Sequence, residues 1–137
     1  MTFLDTNVLV YTADLANPGK QDQAISIVKA ALQNPSQYAI SVQTLSEFTN
    51  VALRKLKMAP DAISGYLQYF SALNTVQPDT RLVQRGLEIK AFYGIQYSDA
   101  LIVAAAERAQ AKIILTEDLS DGQYYCGMMA RNPFVSR

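Results

Sequence analysis

Apolar residues along the chain follow two alternating patterns, short strand-like runs and longer segments with helical spacing. The strand-like runs lie at residues 2–4, 38–42, 74–77, 112–116 and 128–131. Apolar side chains recur every three or four positions in five other segments, at residues 21–33, 44–57, 60–73, 79–93 and 98–106. Because strands alternate with helices, we predict an α/β fold, three-layer α/β/α, with a central, mostly parallel sheet. The helices at 44–57 and 60–73 should form a helical hairpin. No linker or internal repeat interrupts the pattern, which predicts a single domain over residues 1–137.

Two segments in the second half of the chain should lie at the centre of the fold. Residues 112–116 form a nearly continuous apolar run, as expected for a parallel strand that is covered on both faces. The helix that follows Ser98 is apolar on all sides, so it should be buried. Ser98 is a favourable N-cap residue, and Asp99 favours the positive end of the helix dipole.

The chain contains no histidine and only one cysteine, Cys126. The absence of histidine excludes Ser-His-Asp and Cys-His catalytic groups and histidine-ligated zinc, and a single cysteine excludes an internal disulfide. If the protein is an enzyme, its chemistry must therefore come from carboxylates, lysines, hydroxyls or a metal with oxygen ligands.

Charge and hydropathy limit the partners. Lysine and arginine number 12, as do aspartate and glutamate, so the formal net charge is zero and no global positive field attracts nucleic acid. Nucleic-acid binding would need a local basic patch or a metal ion. No signal-peptide pattern and no apolar run of membrane length is present, so we expect a cytoplasmic protein without membrane contact.

Four acidic residues fall where the predicted strands and helices meet. Asp5 follows the first strand, Asp118 follows the run at 112–116, and Glu47 and Asp99 lie near the starts of helices. The carboxyl edge of a parallel sheet is the usual position of a ligand site. Singly, each acid is explained equally well by a turn or a helix cap. Together, four carboxylates would repel one another unless a hard cation such as Mg²⁺ held them.

Four sequence blocks carry a resemblance to a known family. They are Leu4-Asp5-Thr6-Asn7-Val8-Leu9, Glu47 with Asn50-Val51 after it, Ser98-Asp99-Ala100-Leu101-Ile102, and Leu115-Thr116-Glu117-Asp118-Leu119. In this order they resemble the acidic blocks of PIN-domain nucleases, and most closely those of the small VapC-like toxins of bacterial toxin–antitoxin pairs. The resemblance covers nearly the whole chain, including the helical hairpin and the Asn132-Pro133-Phe134 ending.

The resemblance implies a metal-dependent endoribonuclease that cleaves RNA with Mg²⁺ or Mn²⁺. The residues matching the catalytic and metal-binding acids are Asp5, Glu47, Asp99 and Asp118. The supporting polar residues would be Asn7, Thr116 and Ser98. The candidate contacts to the RNA backbone are Arg54, Lys57 and Arg85. The implied partners are an RNA substrate, a small cognate antitoxin protein and a second copy of the chain in a homodimer.

Two positions depart from the family pattern. The last block offers Glu117 and Asp121 as well as Asp118, so more than one residue qualifies as the fourth acid. In addition, the segment 109–111 reads Ala-Gln-Ala where such proteins often have a glycine, which affects a helix end rather than the chemistry.

Two other functions fit parts of the sequence. A HAD-like phosphatase or phosphotransferase would use Asp5 as an aspartyl nucleophile. That family would have a second acid where this chain has Asn7. It would also have a lysine at the end of a strand, before the final acidic pair, whereas Lys112 stands before its strand. A non-catalytic PIN-like module that binds RNA or a protein partner would keep the fold, although the complete set of four acids favours an enzyme.

Overall fold

The computed structural model describes residues 1–135, which contain six strands, six α-helices and one 3₁₀ turn (Pro35–Gln37). The strands are β1 (Thr2–Leu4), β2 (Tyr38–Ser41), β3 (Asn74–Val76), β4 (Ile113–Leu115), β5 (Tyr124–Tyr125) and β6 (Met128–Arg131). The helices are α1 (Thr6–Tyr11), α2 (Pro18–Gln33), α3 (Val42–Arg54), α4 (Pro60–Phe70), α5 (Thr80–Tyr93) and α6 (Tyr97–Arg108). None of these helices is long and apolar enough to cross a membrane.

Strand β1 lies near the middle of one sheet with the order β3-β2-β1-β4-β6-β5. It pairs in parallel with both β2 and β4, so that Thr2 lies opposite Tyr38 on one side and Ile113 on the other. The pairs β2–β3 and β4–β6 are also parallel, whereas β5 and β6 form an antiparallel hairpin. The predicted α/β fold with a mostly parallel sheet is confirmed, and the carboxyl ends of β1, β2 and β4 meet at one edge.

The two faces of the sheet belong to two separate cores. Phe3 and Ile114 point into a core that includes buried residues of α5 and α6. Leu4, the residue after Phe3 on β1, points into a second core. This core also contains Ile40 of β2 and buried residues of α2, α3 and α4. This alternation is the normal geometry of a strand covered on both faces. Helices therefore cover both sides of the sheet, which confirms the three-layer α/β/α arrangement.

The hairpin formed by α3 and α4 closes through aromatic rings. The Phe48 ring lies 5.1 Å from the Phe70 ring in an edge-to-face arrangement and 5.8 Å from the Tyr66 ring. Edge-to-face packing at this distance is favourable for aromatic pairs. The predicted helical hairpin is thus present, and it holds α3 against the face of the sheet next to β2.

The observed elements differ from the predicted ones at several positions. Helix α1 follows β1 with only Asp5 between them, where no helix was predicted. Helix α2 begins at Pro18 rather than near Gln21, because proline is well suited to the first helical turn. Strand β5 has only two residues, too few for a periodic pattern, and was not predicted.

The start of α6 corrects a further prediction. Ser98 is not its N-cap: the helix begins at Tyr97, and its N-cap is Gln96, which makes no side-chain capping bond. Asp99 does lie in the first turn, as predicted. Beyond the end of α6, Gln110 has a φ of 60°, the left-handed conformation that glycine adopts most easily. The non-glycine segment noted in the sequence thus includes a residue with left-handed backbone geometry.

Replacement of Gly86 by valine tests the contact between α5 and α6. Gly86 is buried in α5, and a Cβ atom there would lie 2.8 Å from Leu101 Cδ2. We expect Gly86→Val to lower the free energy of unfolding by about 1–3 kcal/mol, because the added atoms force the packed helices apart. Urea denaturation monitored by circular dichroism measures this change.

Gly65 in α4 provides the matched control, because nothing lies within 4 Å of the Cβ that a substitution there would add. Gly65→Ala should raise stability by up to about 1 kcal/mol, because alanine favours the helix more than glycine does. Unchanged stability in Gly86→Val would show that the α5–α6 contact is looser than described.

Candidate metal-binding acidic site

Asp5 connects β1 to α1 and is the most buried of the four acids. Its exposed fraction is 2%. One carboxylate oxygen, Oδ1, accepts a hydrogen bond of 2.6 Å from the Thr6 backbone N–H, which makes Asp5 the N-cap of α1. The other, Oδ2, accepts a hydrogen bond of 2.8 Å from the Thr116 hydroxyl. The structure thus shows the cap role of Asp5, and the site role that the sequence left as its alternative stays a prediction.

The surroundings of Asp5 disfavour its charged form. Burial is the main cause and raises the pKa of Asp5 to about 7, and the negative charges of Asp118 and Glu47 act in the same direction. The hydrogen bonds from Thr116 and Thr6 oppose this shift without cancelling it. A bound cation would favour the ionised carboxylate in the same way as any nearby positive charge.

Glu47 lies on α3 and is held from two sides. Its Oε2 accepts a hydrogen bond of 2.8 Å from the Thr6 hydroxyl, and its Oε1 accepts one of 2.7 Å from Gln43 Nε2. Gln43 precedes Glu47 by one helical turn and also donates to the Ser98 carbonyl oxygen at 3.1 Å. Glu47 is therefore linked to α1 through Thr6 and to the start of α6 through Gln43.

Asp118 is exposed in the loop after β4 and is positioned by residues on both sides of the site. Its backbone N–H donates to the Thr116 hydroxyl oxygen at 3.0 Å, and its Oδ2 accepts a hydrogen bond of 3.2 Å from Asn7 Nδ2. The Asn7 side-chain oxygen in turn accepts a hydrogen bond of 3.4 Å from the backbone N–H of Glu117. Thr116 thus contacts both Asp5 and Asp118, and Asn7 ties α1 to the loop.

Asp99 completes the set from the first turn of α6. It is half-buried, and burial together with the negative charges of Asp118 and Glu47 raises its pKa. Asp5 and Asp99 are thus each close enough to Asp118 and Glu47 to feel their charge.

A cavity of about 590 Å³ opens beside three of these acids, and Asp5 does not line it. Glu47, Asp99 and Asp118 contribute to its wall, and so does Ser98. Within residues 1–135, no three acidic or cysteine side chains have their ligand atoms already gathered around one metal position. The donor set nevertheless fits a hard cation by its chemistry, because it consists of carboxylate oxygens around a cavity and includes a buried acid whose charge is disfavoured.

Glu117 and Asp121, the other acids near the fourth block, are held by other parts of the chain. Both Glu117 carboxylate oxygens accept hydrogen bonds, one from the Tyr11 hydroxyl and one from Lys20 Nζ at 3.1 Å. Asp121 Oδ1 accepts a hydrogen bond of 2.8 Å from the backbone N–H of Asn132. Of the three candidates, Asp118 is the one that lines the acidic cavity.

The predicted RNA-contact residues occupy different surroundings. Arg54 is the last residue of α3 and is exposed, and Lys57 is exposed in the segment after the helix. Arg85 instead forms a two-pronged ion pair with Glu107, through its Nε at 2.7 Å and its Nη2 at 2.9 Å. The structure therefore engages Arg85 in a pair between α5 and α6 and does not bring it to the acidic cavity.

Sequence reasoning missed two residues that orient the site, Thr6 and Gln43. Thr6 follows Asp5 directly, so its hydroxyl is carried to the same edge of the sheet. Gln43 stands four residues before Glu47, the spacing that places two side chains on one face of a helix. That spacing was visible in the sequence, whereas the Thr6–Glu47 contact joins residues 41 positions apart and needs the fold.

A family model of the PIN domain matches residues 2–120, which include all four acids. The search of the curated proteins gave no match. Among solved structures, a toxin–antitoxin complex from Klebsiella pneumoniae matches with a TM-score of 0.68 at 20% identity, over 97% of this chain and 98% of that one. DNA-bound VapBC from Salmonella typhimurium matches with a TM-score of 0.68 at 21% identity, over 96% and 97%.

A third similar structure is VapC20 from Mycobacterium tuberculosis, described as a toxin that cleaves the sarcin–ricin loop. It matches with a TM-score of 0.62 at 15% identity, over 83% of this chain and 87% of that one. At such identities the solved structures show a shared fold. The family model covers most of the chain, and on that evidence the protein belongs to the PIN-domain family.

Proposed function

We propose that this protein is a divalent-cation-dependent endoribonuclease and the toxin of a toxin–antitoxin pair. The observation that carries the proposal is the charge balance of the site. Asp5, Glu47, Asp99 and Asp118 lie at the carboxyl edge of the sheet, and within residues 1–135 no lysine or arginine forms an ion pair with any of them. Two of the four, Asp5 and Asp99, also have raised pKa values, and perturbed carboxylates of this kind are typical of functional sites.

The residues that would hold the cation are Asp5, Glu47, Asp99 and Asp118. Mg²⁺ or Mn²⁺ matches a site made only of oxygen donors. When bound, such an ion lowers the pKa of a coordinated water and offsets the negative charge of a phosphodiester.

The chain itself supplies the orientation of these acids. Thr116 and the Thr6 backbone fix the Asp5 carboxylate, so it loses little freedom when it binds a ligand. The Asn7 amide restrains Asp118 in the same way. Gln43 restrains Glu47. Groups already held in place need no reorganisation during the reaction, which is the main source of electrostatic catalysis.

The similar solved structures support a role in a toxin–antitoxin pair. Two of them are toxin–antitoxin or VapBC complexes, and the M. tuberculosis toxin VapC20 is described as cleaving the sarcin–ricin loop. A cluster of carboxylates also attracts an arginine guanidinium, which binds carboxylates through two parallel hydrogen bonds. We therefore infer a small antitoxin that inserts an arginine or a helix near the acidic site. Homodimerisation and a cytoplasmic location remain predictions from the resemblance and the sequence.

The HAD-like phosphotransferase alternative loses support. The matching family is the PIN domain. Asn7, at the position where the alternative needs an acid, donates a hydrogen bond to Asp118 and receives one from the Glu117 backbone, so its amide has a structural role of its own.

Neutralising single acids tests the catalytic role. In the purified protein with Mg²⁺ or Mn²⁺, we expect Asp5→Asn, Glu47→Gln, Asp99→Asn and Asp118→Asn each to lower the rate of RNA cleavage by about a hundredfold or more, because each removes one charged ligand. Gel analysis of labelled RNA measures the rate, and a chelator should abolish cleavage by the wild type.

Asp22→Asn, which changes an exposed acid on α2, is the matched control and should cleave like the wild type. If the wild type does not cleave RNA but still binds an RNA or protein partner, the non-catalytic alternative is correct. Cleavage that survives all four acid substitutions would place the chemistry elsewhere.

The raised pKa of Asp5 predicts how the cation-free protein responds to pH. Between the ordinary pKa of 3.8 and about 7, the folded state binds the Asp5 proton more tightly than the unfolded chain does, so this contribution to stability falls as pH rises. Asp5→Asn has no carboxyl group to ionise at this position, so it does not lose stability in this way as pH rises. It should therefore be more stable than the wild type near pH 8, by on the order of a few kcal/mol, and of similar stability near pH 4.

Urea denaturation in the presence of a chelator, repeated across this pH range, measures the difference. Adding Mn²⁺ near pH 8 should raise the melting temperature of the wild type but not that of Asp5→Asn, because a ligand stabilises only the protein that binds it. An identical pH dependence in the two proteins would show that Asp5 is not held as described.

A further inference from the structure

A second cavity, of about 270 Å³, lies between α1 and α3. It shares Glu47 and Asp118 with the larger acidic cavity, so these two acids stand between the two spaces. Half-buried Val10 and Val51 give the second cavity apolar walls, and Lys55 lies at its margin as the C-cap of α3. An RNA strand that passes over Glu47 and Asp118 would have one cavity on each side of these two acids.

The carboxylates around this second cavity already have partners within the chain. Asp14 accepts hydrogen bonds from Ala16 and Asn17, and Glu117 accepts them from Tyr11 and Lys20. Lys20 is thereby engaged in an ion pair with Glu117.

Lys55 differs from Lys20. It is exposed, and across residues 1–135 it forms no ion pair within 4.0 Å, although four carboxylates line the same cavity. Its ammonium group is therefore available to an anion from outside the chain. A phosphate on a flexible strand is an anion that lysine commonly binds as a point charge.

We propose that the α1–α3 cavity binds the nucleotide adjoining the cleaved bond, and that Lys55 binds the phosphate of that nucleotide. The inference rests on the proposed ribonuclease function and adds to it a second subsite with a named basic residue. Val10 and Val51 would contact the sugar or base without reading its identity, because the valine side chains offer no hydrogen-bonding groups. The sequence alone had selected the neighbours Arg54 and Lys57, whose side chains do not line this cavity.

A purely structural role for Lys55 predicts something different. A lysine at the C-terminal end of a helix interacts favourably with the helix dipole, so Lys55→Ala would then affect stability and not RNA binding. The two roles are separated by the salt dependence of binding, because only a contact to phosphate releases a counterion from the RNA.

The experiment measures binding of fluorescent single-stranded oligouridylate and oligoadenylate by anisotropy, with Mg²⁺ present. All variants carry Asp99→Asn so that the oligonucleotide is not cleaved during the measurement. Lys55→Ala should weaken binding about tenfold at low salt, equally for both oligonucleotides, and reduce the slope of log K against log salt concentration by about 0.7. Lys55→Arg should keep the charge and restore binding. Lys112→Ala removes an exposed lysine just before β4, at the opposite edge of the sheet, and should change nothing.

Cleavage kinetics in the background with intact acids complete the test. Lys55→Ala should raise KM with kcat nearly unchanged, because it removes binding that is equal in the ground state and the transition state. If RNA is cleaved and Lys55→Ala behaves like Lys112→Ala in both assays, the subsite is wrong while the ribonuclease function stands. If the wild type does not cleave RNA and the Asp99→Asn protein does not bind RNA, both proposals fail. Discrimination between the two oligonucleotides that depends on Lys55 would overturn the assignment to phosphate.

Discussion

The burial of one carboxylate, Asp5, is the constraint on which the site depends. An ionised group inside a protein is costly unless it is hydrogen-bonded and compensated by charge. Thr116 and the first peptide of α1 provide the hydrogen bonds, and burial still leaves the pKa near 7. A positive charge bound beside Asp5 would favour its ionised form. The same hydrogen bonds fix the end of β1 against the end of β4, so the acid is also part of the framework of the sheet.

The parallel sheet explains why the other acids lie close by. β1 has β2 on one side and β4 on the other, so the segments that follow these three strands start at one edge. The segment after β2 is α3 with Glu47, and the segment after β4 contains Asp118. Small polar groups then connect the segments. Thr6 joins α1 to Glu47, and Asn7 joins it to Asp118. The acids are thus held at a spacing that the fold sets.

The sequence predicted the features that repeat, and missed those that depend on a contact between distant residues. The spacing of apolar residues predicted the long amphipathic helices and the buried strand β4. The order of the acidic blocks along the chain predicted the PIN-domain family. The short helix α1 was missed because Asp5 and Asn7 are typical turn residues, and their hydrogen bonds to residues after β4 exist only once β1 and β4 are paired. Lys55, which the sequence did not single out, lines the cavity between α1 and α3, whereas Lys57 does not.

We propose that Asp5, Glu47, Asp99 and Asp118 together form a cation site. A crystal structure with Mn²⁺, with its anomalous scattering measured near the manganese absorption edge, would locate the bound ion. We expect a manganese peak at the carboxyl edge of the sheet, within coordination distance of the Asp5 carboxylate and of at least one other of the four acids. Manganese bound only elsewhere on the protein, with the acidic cavity free of anomalous signal, would show that these acids do not form a cation site.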